Sequence, residues 1–164
     1  MRSMKFLLVP ACAICLLSGC VTVDSVFGEL DPQVSAVELQ ALQTREFEGT
    51  EAQMFSATIG AFQSYGYAIQ SADRATGLVI AKTTSDATLN SFTGLTRVEY
   101  DKATAFIEKV AENRMKVRVS IVKYVSAKSG YGGGGEKEAM RTKPEMYQKI
   151  FTKIEESLFL KKNL

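Results

Sequence analysis

The 164 residues contain no histidine and no tryptophan, and the only three cysteines are Cys12, Cys15 and Cys20. The missing histidine removes the commonest general base and transition-metal ligand, and no thiol downstream of residue 20 is available as a nucleophile or zinc ligand. The formal charge is +2, but setting aside Arg2 and Lys5 at the start leaves 18 basic against 18 acidic residues, a balance that gives no electrostatic case for nucleic acid.

The chain opens like a bacterial secretory signal. Arg2 and Lys5 supply positive charge, Phe6 to Leu17 is apolar apart from Pro10, and small residues stand before a cysteine in Leu17-Ser18-Gly19-Cys20. The apolar run is too short for a hydrocarbon core that needs ~20 residues, and no A-x-A-like site of an ordinary signal peptide follows it. The four residues resemble the lipobox of bacterial lipoproteins. The resemblance implies cleavage before Cys20, a diacylglycerol on its thiol and membrane attachment through that lipid. Val21, by resemblance to enterobacterial sorting rules, implies the outer membrane, with the domain in the periplasm. Residues 1–19 are then a signal and the mature chain keeps 145 of 164 residues, enough for one compact domain with a real core. With Cys20 lipidated, it has no disulfide.

Residues 20–41 read as a lipidated tether, interrupted by Gly28, Asp31, Pro32 and Ser35. Fully extended, it spans roughly 60–70 Å. The alternative is that Ser35 to Ala41 packs on the domain as a short helix. The domain proper is expected over 42–164. Its first strand is predicted from Leu42 to Glu48. Thr50 and Gln53 then form a capping-box pattern, and Met54, Phe55, Thr58, Ile59, Ala61, Phe62 and Tyr65 make one face of a helix over Glu51–Tyr65, stopped by Gly66. A hairpin follows, Tyr67–Ala72 and Leu78–Thr83, around Asp73-Arg74-Ala75-Thr76-Gly77.

Residues 85–96 are rich in Ser, Thr, Asn, Asp and Gly and read as a loop. Two long strands are predicted at 97–110 and 114–127, joined by Ala111-Glu112-Asn113. In the second, Met115, Val117, Val119 and Ile121 alternate with Arg114, Lys116, Arg118 and Ser120. Residues 129–135 hold five glycines. No Gly-Lys-Ser/Thr follows them, so they are not a phosphate-binding loop, and they read as a flexible connection. A final helix is expected from Pro144 to Phe159. Thr142 and Glu145 suit a second capping box, and Tyr147, Ile150, Phe151, Ile154 and Leu158 form the buried face.

The order β-α-β-β-β-β-α implies an α+β fold: one twisted antiparallel sheet of about five strands with two helices on one face. Several stretches carry a resemblance: Thr44-Arg45-Glu46-Phe47, Tyr65-Gly66-Tyr67-Ala68-Ile69, Asp73 to Leu78, Tyr147 to Phe151 and Ser157 to Leu160. They are similar to small uncharacterised proteobacterial lipoproteins. Their arrangement also resembles the helix-grip domains of BamC, a lipoprotein of the outer-membrane β-barrel assembly machine. The resemblance covers about residues 42–160 and implies a fold. Among its residues no functional role is implied beyond the lipidated Cys20.

The remaining candidates for chemistry are carboxylates, lysines and tyrosines. Asp73 suits a turn residue capping local backbone. Glu99 and Asp101 share a sheet face at i,i+2 spacing, and two carboxylates without histidine make at most a weak hard-cation site. No metal or cofactor is expected. Arg114, Lys116 and Arg118 form a basic row. One reading is a solvated face paired with acidic neighbours such as Glu108, and the other is a contact for anionic lipid, lipopolysaccharide or an acidic partner. Phe106, Val122 and Tyr124 are expected near that row and would form an interaction patch if exposed together. The inventory points away from an enzyme. It favours an anchored interaction or scaffold module of the envelope. The alternative is a binder of a small or lipidic ligand between helices and sheet.

Overall fold

The computed structural model describes residues 31–92, 94–130 and 132–162. Cys20, its lipobox and the tether as far as residue 30 lie outside them. The described chain runs α1 (Ala36–Gln43), β1 (Thr44–Glu48), α2 (Glu51–Ser64), β2 (Tyr67–Asp73), β3 (Leu78–Thr83), β4 (Asp86–Asn90), β5 (Leu95–Ala111), β6 (Arg114–Ser129), β7 (Gly134–Met140) and α3 (Pro144–Lys162). The fold is α+β, with one open antiparallel sheet. No helix among the described residues is long and apolar enough to cross a membrane.

The long β5–β6 hairpin organises the sheet. Near its turn, β6 pairs with β1 and β5 pairs with β3, which pairs with β2. Toward its far end β6 pairs with β7 and β5 with β4. The half nearer the turn carries α2 and α3 on one face. Met54 and Phe62 of α2 and Tyr147, Ile150, Phe151 and Ile154 of α3 pack with Val79, Ala81, Ala103, Ala105, Val117, Val119 and Ile121, all at 2% exposure or less. Small residues on β5 let the helices lie close, and the branched residues of β6 fill the space between. Phe55, Ile59 and Tyr65 sit at the margin of this core, partly buried.

Local chemistry explains the helix ends. Thr50 and Gln53 form the expected capping box on α2, and Tyr65 with the left-handed Gly66 ends it. Asp73 accepts the Ala75 amide at 2.9 Å and the Thr76 hydroxyl at 2.8 Å, which closes the β2–β3 turn.

Five features differ from the sequence expectation. The sheet has seven strands rather than five. Within the expected 85–96 loop, β4 adds to the edge of β5, which itself begins at Leu95. The glycine run makes a tight hairpin turn rather than a flexible connection. Gly132 and Gly133 take positive φ, Ser129 N–H bonds Gly133 O at 2.9 Å, and β7 returns along β6. The first strand starts at Thr44, because Leu42 and Gln43 close helix α1, which has its own capping box between Ser35 and Glu38. The expected Thr142–Glu145 box is replaced by another contact, since the Thr142 hydroxyl donates to Pro32 O at 2.7 Å. Residues 31–41 therefore belong to the domain, and the helix over Ser35 to Ala41 weighed as an alternative is the observed arrangement, capped by Ser35.

Candidate functional site: the helix-free face and the belt behind it

The sheet face opposite the helices is built by alternation. Because Met115, Val117, Val119 and Ile121 point into the core, Arg114, Lys116, Arg118, Ser120, Val122 and Tyr124 point away from it. The register places Phe106 beside Arg118, Lys102 and Met140 on either side of Val122, and Tyr100 beside Tyr124. Tyr100 and Tyr124 stack with ring centroids 4.9 Å apart and planes 7° apart. The Lys82 ammonium lies 3.7 Å from the centre of the Tyr100 ring. Phe106 and Met140 remain 45% and 38% exposed. Phe106, Val122 and Tyr124 thus share this face with Tyr100 and Met140, but they are not exposed together: Val122 and Tyr124 are half-buried, and the Thr104–Ser120 pair separates Phe106 from them.

The three basic residues on this face each have a neighbour. Lys116 Nζ meets Glu108 Oε2 at 2.6 Å, and Arg114 meets Glu46 at 3.4 Å. Arg118 donates to Gln43 Oε1 at 3.4 Å. The face is therefore a mixed surface, with aromatic and apolar side chains set among Lys82, Lys102 and a border of largely paired charges, rather than a naked cationic patch.

On the opposite face, where the helices stop covering the sheet, lies a belt of charge. Tyr67, Thr83, Asp101, Lys123 and Ala139 form one row across five strands. Arg141 comes down on it from the chain between β7 and α3, its amide bonded to Ile121 O at 2.9 Å. Arg141 holds Asp101 at 3.4 Å and Asp31 at 3.2 Å. One row further out, Glu99 is gripped by Arg97 at 2.7 Å and Lys123 at 3.1 Å. A pocket of about 230 Å³ opens here, lined by Thr83, Asp86, Glu99, Asp101, Lys123 and Arg141 among others.

Burial pushes the Asp101 carboxyl up, with Arg141 and Lys123 pulling against it. At Glu99 burial pulls upward too, but the hydrogen bonds and charges of Lys123 and Arg97 together win and hold it low. Burial, with Asp101 adding, raises the Tyr67 phenol, so it stays neutral. Glu99 and Asp101 do share a face, as their spacing predicts. Each is bound by a cationic side chain, and no metal-holding group of His, Cys, Asp or Glu occurs among the described residues. The belt's charges neutralise one another, and what the arrangement does is fasten the entering chain and the start of α3 to the sheet.

Sequence reasoning missed Asp31, Arg97, Lys123 and Arg141. They come from four separate segments and meet only in three dimensions. Only the parity of Arg97, Glu99 and Asp101 on one strand was visible as a signal. No known protein family and no curated protein matches this chain.

Proposed function

We propose that the chain is a lipid-anchored, non-catalytic lipoprotein of the bacterial outer membrane that works as an interaction or assembly module. Cys20 carries the anchor, the domain stands in the periplasm, and a protein partner of the envelope docks on the helix-free face. The observation that supports docking is the exposure of Phe106 and Met140 on the same face as the half-buried Val122 and the Tyr100–Tyr124 stack. Flat aromatic side chains beside charged rims suit protein contact, since they add apolar area with little rotamer loss. Arg114, Lys116 and Arg118 border these side chains and set which acidic surfaces approach them. The helix–sheet interior is filled by Phe62, Tyr147 and Phe151, which leaves the ligand-binder reading without support.

The test is site-specific capture in intact cells. A photo-activated cross-linker at position 106 should capture one protein reproducibly. The same group at position 148, exposed on the outer side of α3, should not. Equal capture at both positions would remove the helix-free face from the proposal.

A further inference from the structure

The β4–β5 and β6–β7 turns lie side by side at the far end of the sheet, joined by the Gly130 amide bonding Gly94 O at 3.1 Å. At this tip Phe92 is 96% exposed and Leu89, one turn of the hairpin away, is 64% exposed. Phe92 is held there by its backbone, whose amide donates to Asn90 Oδ1 at 3.1 Å. Two large apolar side chains projected into water at one tip make a surface suited to an apolar partner.

We infer that this tip dips into the surface of the same membrane that holds the Cys20 lipid, with Phe92 and Leu89 entering the headgroup region. The inference rests on the anchor proposed above and on where the described chain begins. Asp31 sits on the belt, tied to Arg141 and Thr142. From the belt residue Asp101 to Leu95 is six strand positions, about 20 Å. From Asp101 to the opposite turn at Ala111 is ten positions, about 33 Å. Downstream of Asp31 the chain runs away from the tip, since Thr44 pairs with Arg118 and Glu48 with Arg114, beside the opposite turn. The eleven steps from Cys20 to Asp31 reach at most ~40 Å. An anchor upstream of Asp31 thus reaches past the tip, about 20 Å away, with half its length to spare, and past the opposite turn only near full extension.

The opposite end also exposes apolar residues, Val110, Phe159 and Leu160. To bring that end down, the segment upstream of Asp31 would have to use about 33 of its ~40 Å of reach, against about 20 Å for the tip. Those residues provide the control. The contact at the tip is apolar, so it requires a lipid surface but no particular headgroup charge.

The chain has no tryptophan, so Phe92→Trp installs a single reporter. Full-length lipidated protein carrying Phe92→Trp, or Phe159→Trp as control, is reconstituted into phosphatidylethanolamine–phosphatidylcholine vesicles, with and without brominated acyl chains. The inference expects blue-shifted emission quenched by bromine for position 92 and solvent-exposed, unquenched emission for position 159. Vesicle-bound protein with position 92 unquenched overturns the tip contact and leaves the anchor standing. Quenching at 159, alone or together with 92, overturns the orientation. Protein that fails to float with the vesicles overturns the anchor, and with it the tip contact, which alone buries too little apolar surface to hold the domain on a bilayer.

Discussion

Asp31 and Arg141 stand 110 positions apart in the chain and meet at 3.2 Å, with the Asp31 side chain only 2% exposed. The same carboxylate accepts the Thr142 amide at 3.0 Å, so one buried group clamps the entry of the domain to the segment that starts α3. Removing it leaves the Arg141 guanidinium with Asp101 alone. Asp31→Ala should cost roughly 1.5–3 kcal/mol, the range for a buried hydrogen bond to a charged group. Denaturant unfolding measures this. A change below about 0.5 kcal/mol would show that residues 31–41 are a passive lead-in.

The two carboxylates of the belt should respond to acid with opposite signs. Glu99 is held low in the fold by Lys123 and Arg97 against the pull of burial. Its stabilising contribution is present above the ordinary glutamate range and is lost as pH falls through its lowered value. Asp101 is raised, chiefly by burial. Its protonation favours the folded state, so stability falls as pH rises from the ordinary aspartate value through the raised one. Glu99→Gln should flatten the acid limb of a stability-against-pH curve, and Asp101→Asn should steepen it. Chemical denaturation between pH 3 and 7 is the measurement, and changes of the same sign in both variants would contradict the assigned shifts.

The helices and the core strands were legible because their signals are local. A 3–4 spacing defines α2 and α3, with a capping box at the start of α2, and alternation defines β6. The edge strands β4 and β7 were not legible because nothing local demands them. Their residues are mostly polar or glycine, with no sustained apolar alternation, and they become strands because β5 and β6 outrun β1 and β3 and leave open hydrogen-bonding edges to be filled. The site was partly legible. Parity alone put Arg114, Lys116, Arg118, Val122 and Tyr124 on the helix-free side. Tyr100 was within reach, since the expected three-residue connection sets Val110 against Arg114 and, at the same register, Tyr100 against Tyr124, the pairing observed.

Two glycines with positive φ separate backbone strain from steric collision. Gly66 has φ +89 and open space around a would-be Cβ, whereas Gly77 has φ +70 and a Cβ there would meet Ile107 O at 2.3 Å. Gly66→Ala should cost only the left-handed strain, about 1–2 kcal/mol. Gly77→Ala should cost clearly more, because the Ile107 carbonyl accepts no such approach without opening the contact in which Ile107 N–H bonds Gly77 O at 2.9 Å. Thermal or denaturant midpoints rank the two. Equal losses would mean that the turn slides away from β5 without penalty.

The anchor is tested at one atom. Cys20→Ser replaces the thiol that the lipobox resemblance assigns to the diacylglycerol, so the precursor should stay uncut and labelling by radioactive acyl precursors should vanish. The described domain is held from Asp31 onward by its own core and belt, so its folding should not change. Normal processing of this variant would end the lipoprotein proposal.

The helix-free face carries Arg114, Lys116 and Arg118 at one border, and Lys116 is joined to Glu108 at 2.6 Å across β5 and β6, with both side chains well exposed. Exposed pairs of this kind contribute ~0–1 kcal/mol, so Lys116→Glu/Arg118→Glu should leave folding nearly unchanged. The same change sets the residue at 116 against Glu46 and Glu108 and turns a balanced border acidic. An acidic partner surface would then be repelled, and its capture should fall, most strongly at low ionic strength where screening is weakest. Cross-linking in intact cells at matched abundance, compared with a Phe106→Ser variant, separates the two contributions. Loss of capture in both variants would show that the aromatic and apolar side chains and their charged border act as one surface. Loss in Phe106→Ser alone would assign recognition to the aromatic and apolar side chains. Full capture by both variants would show that the face is only solvated.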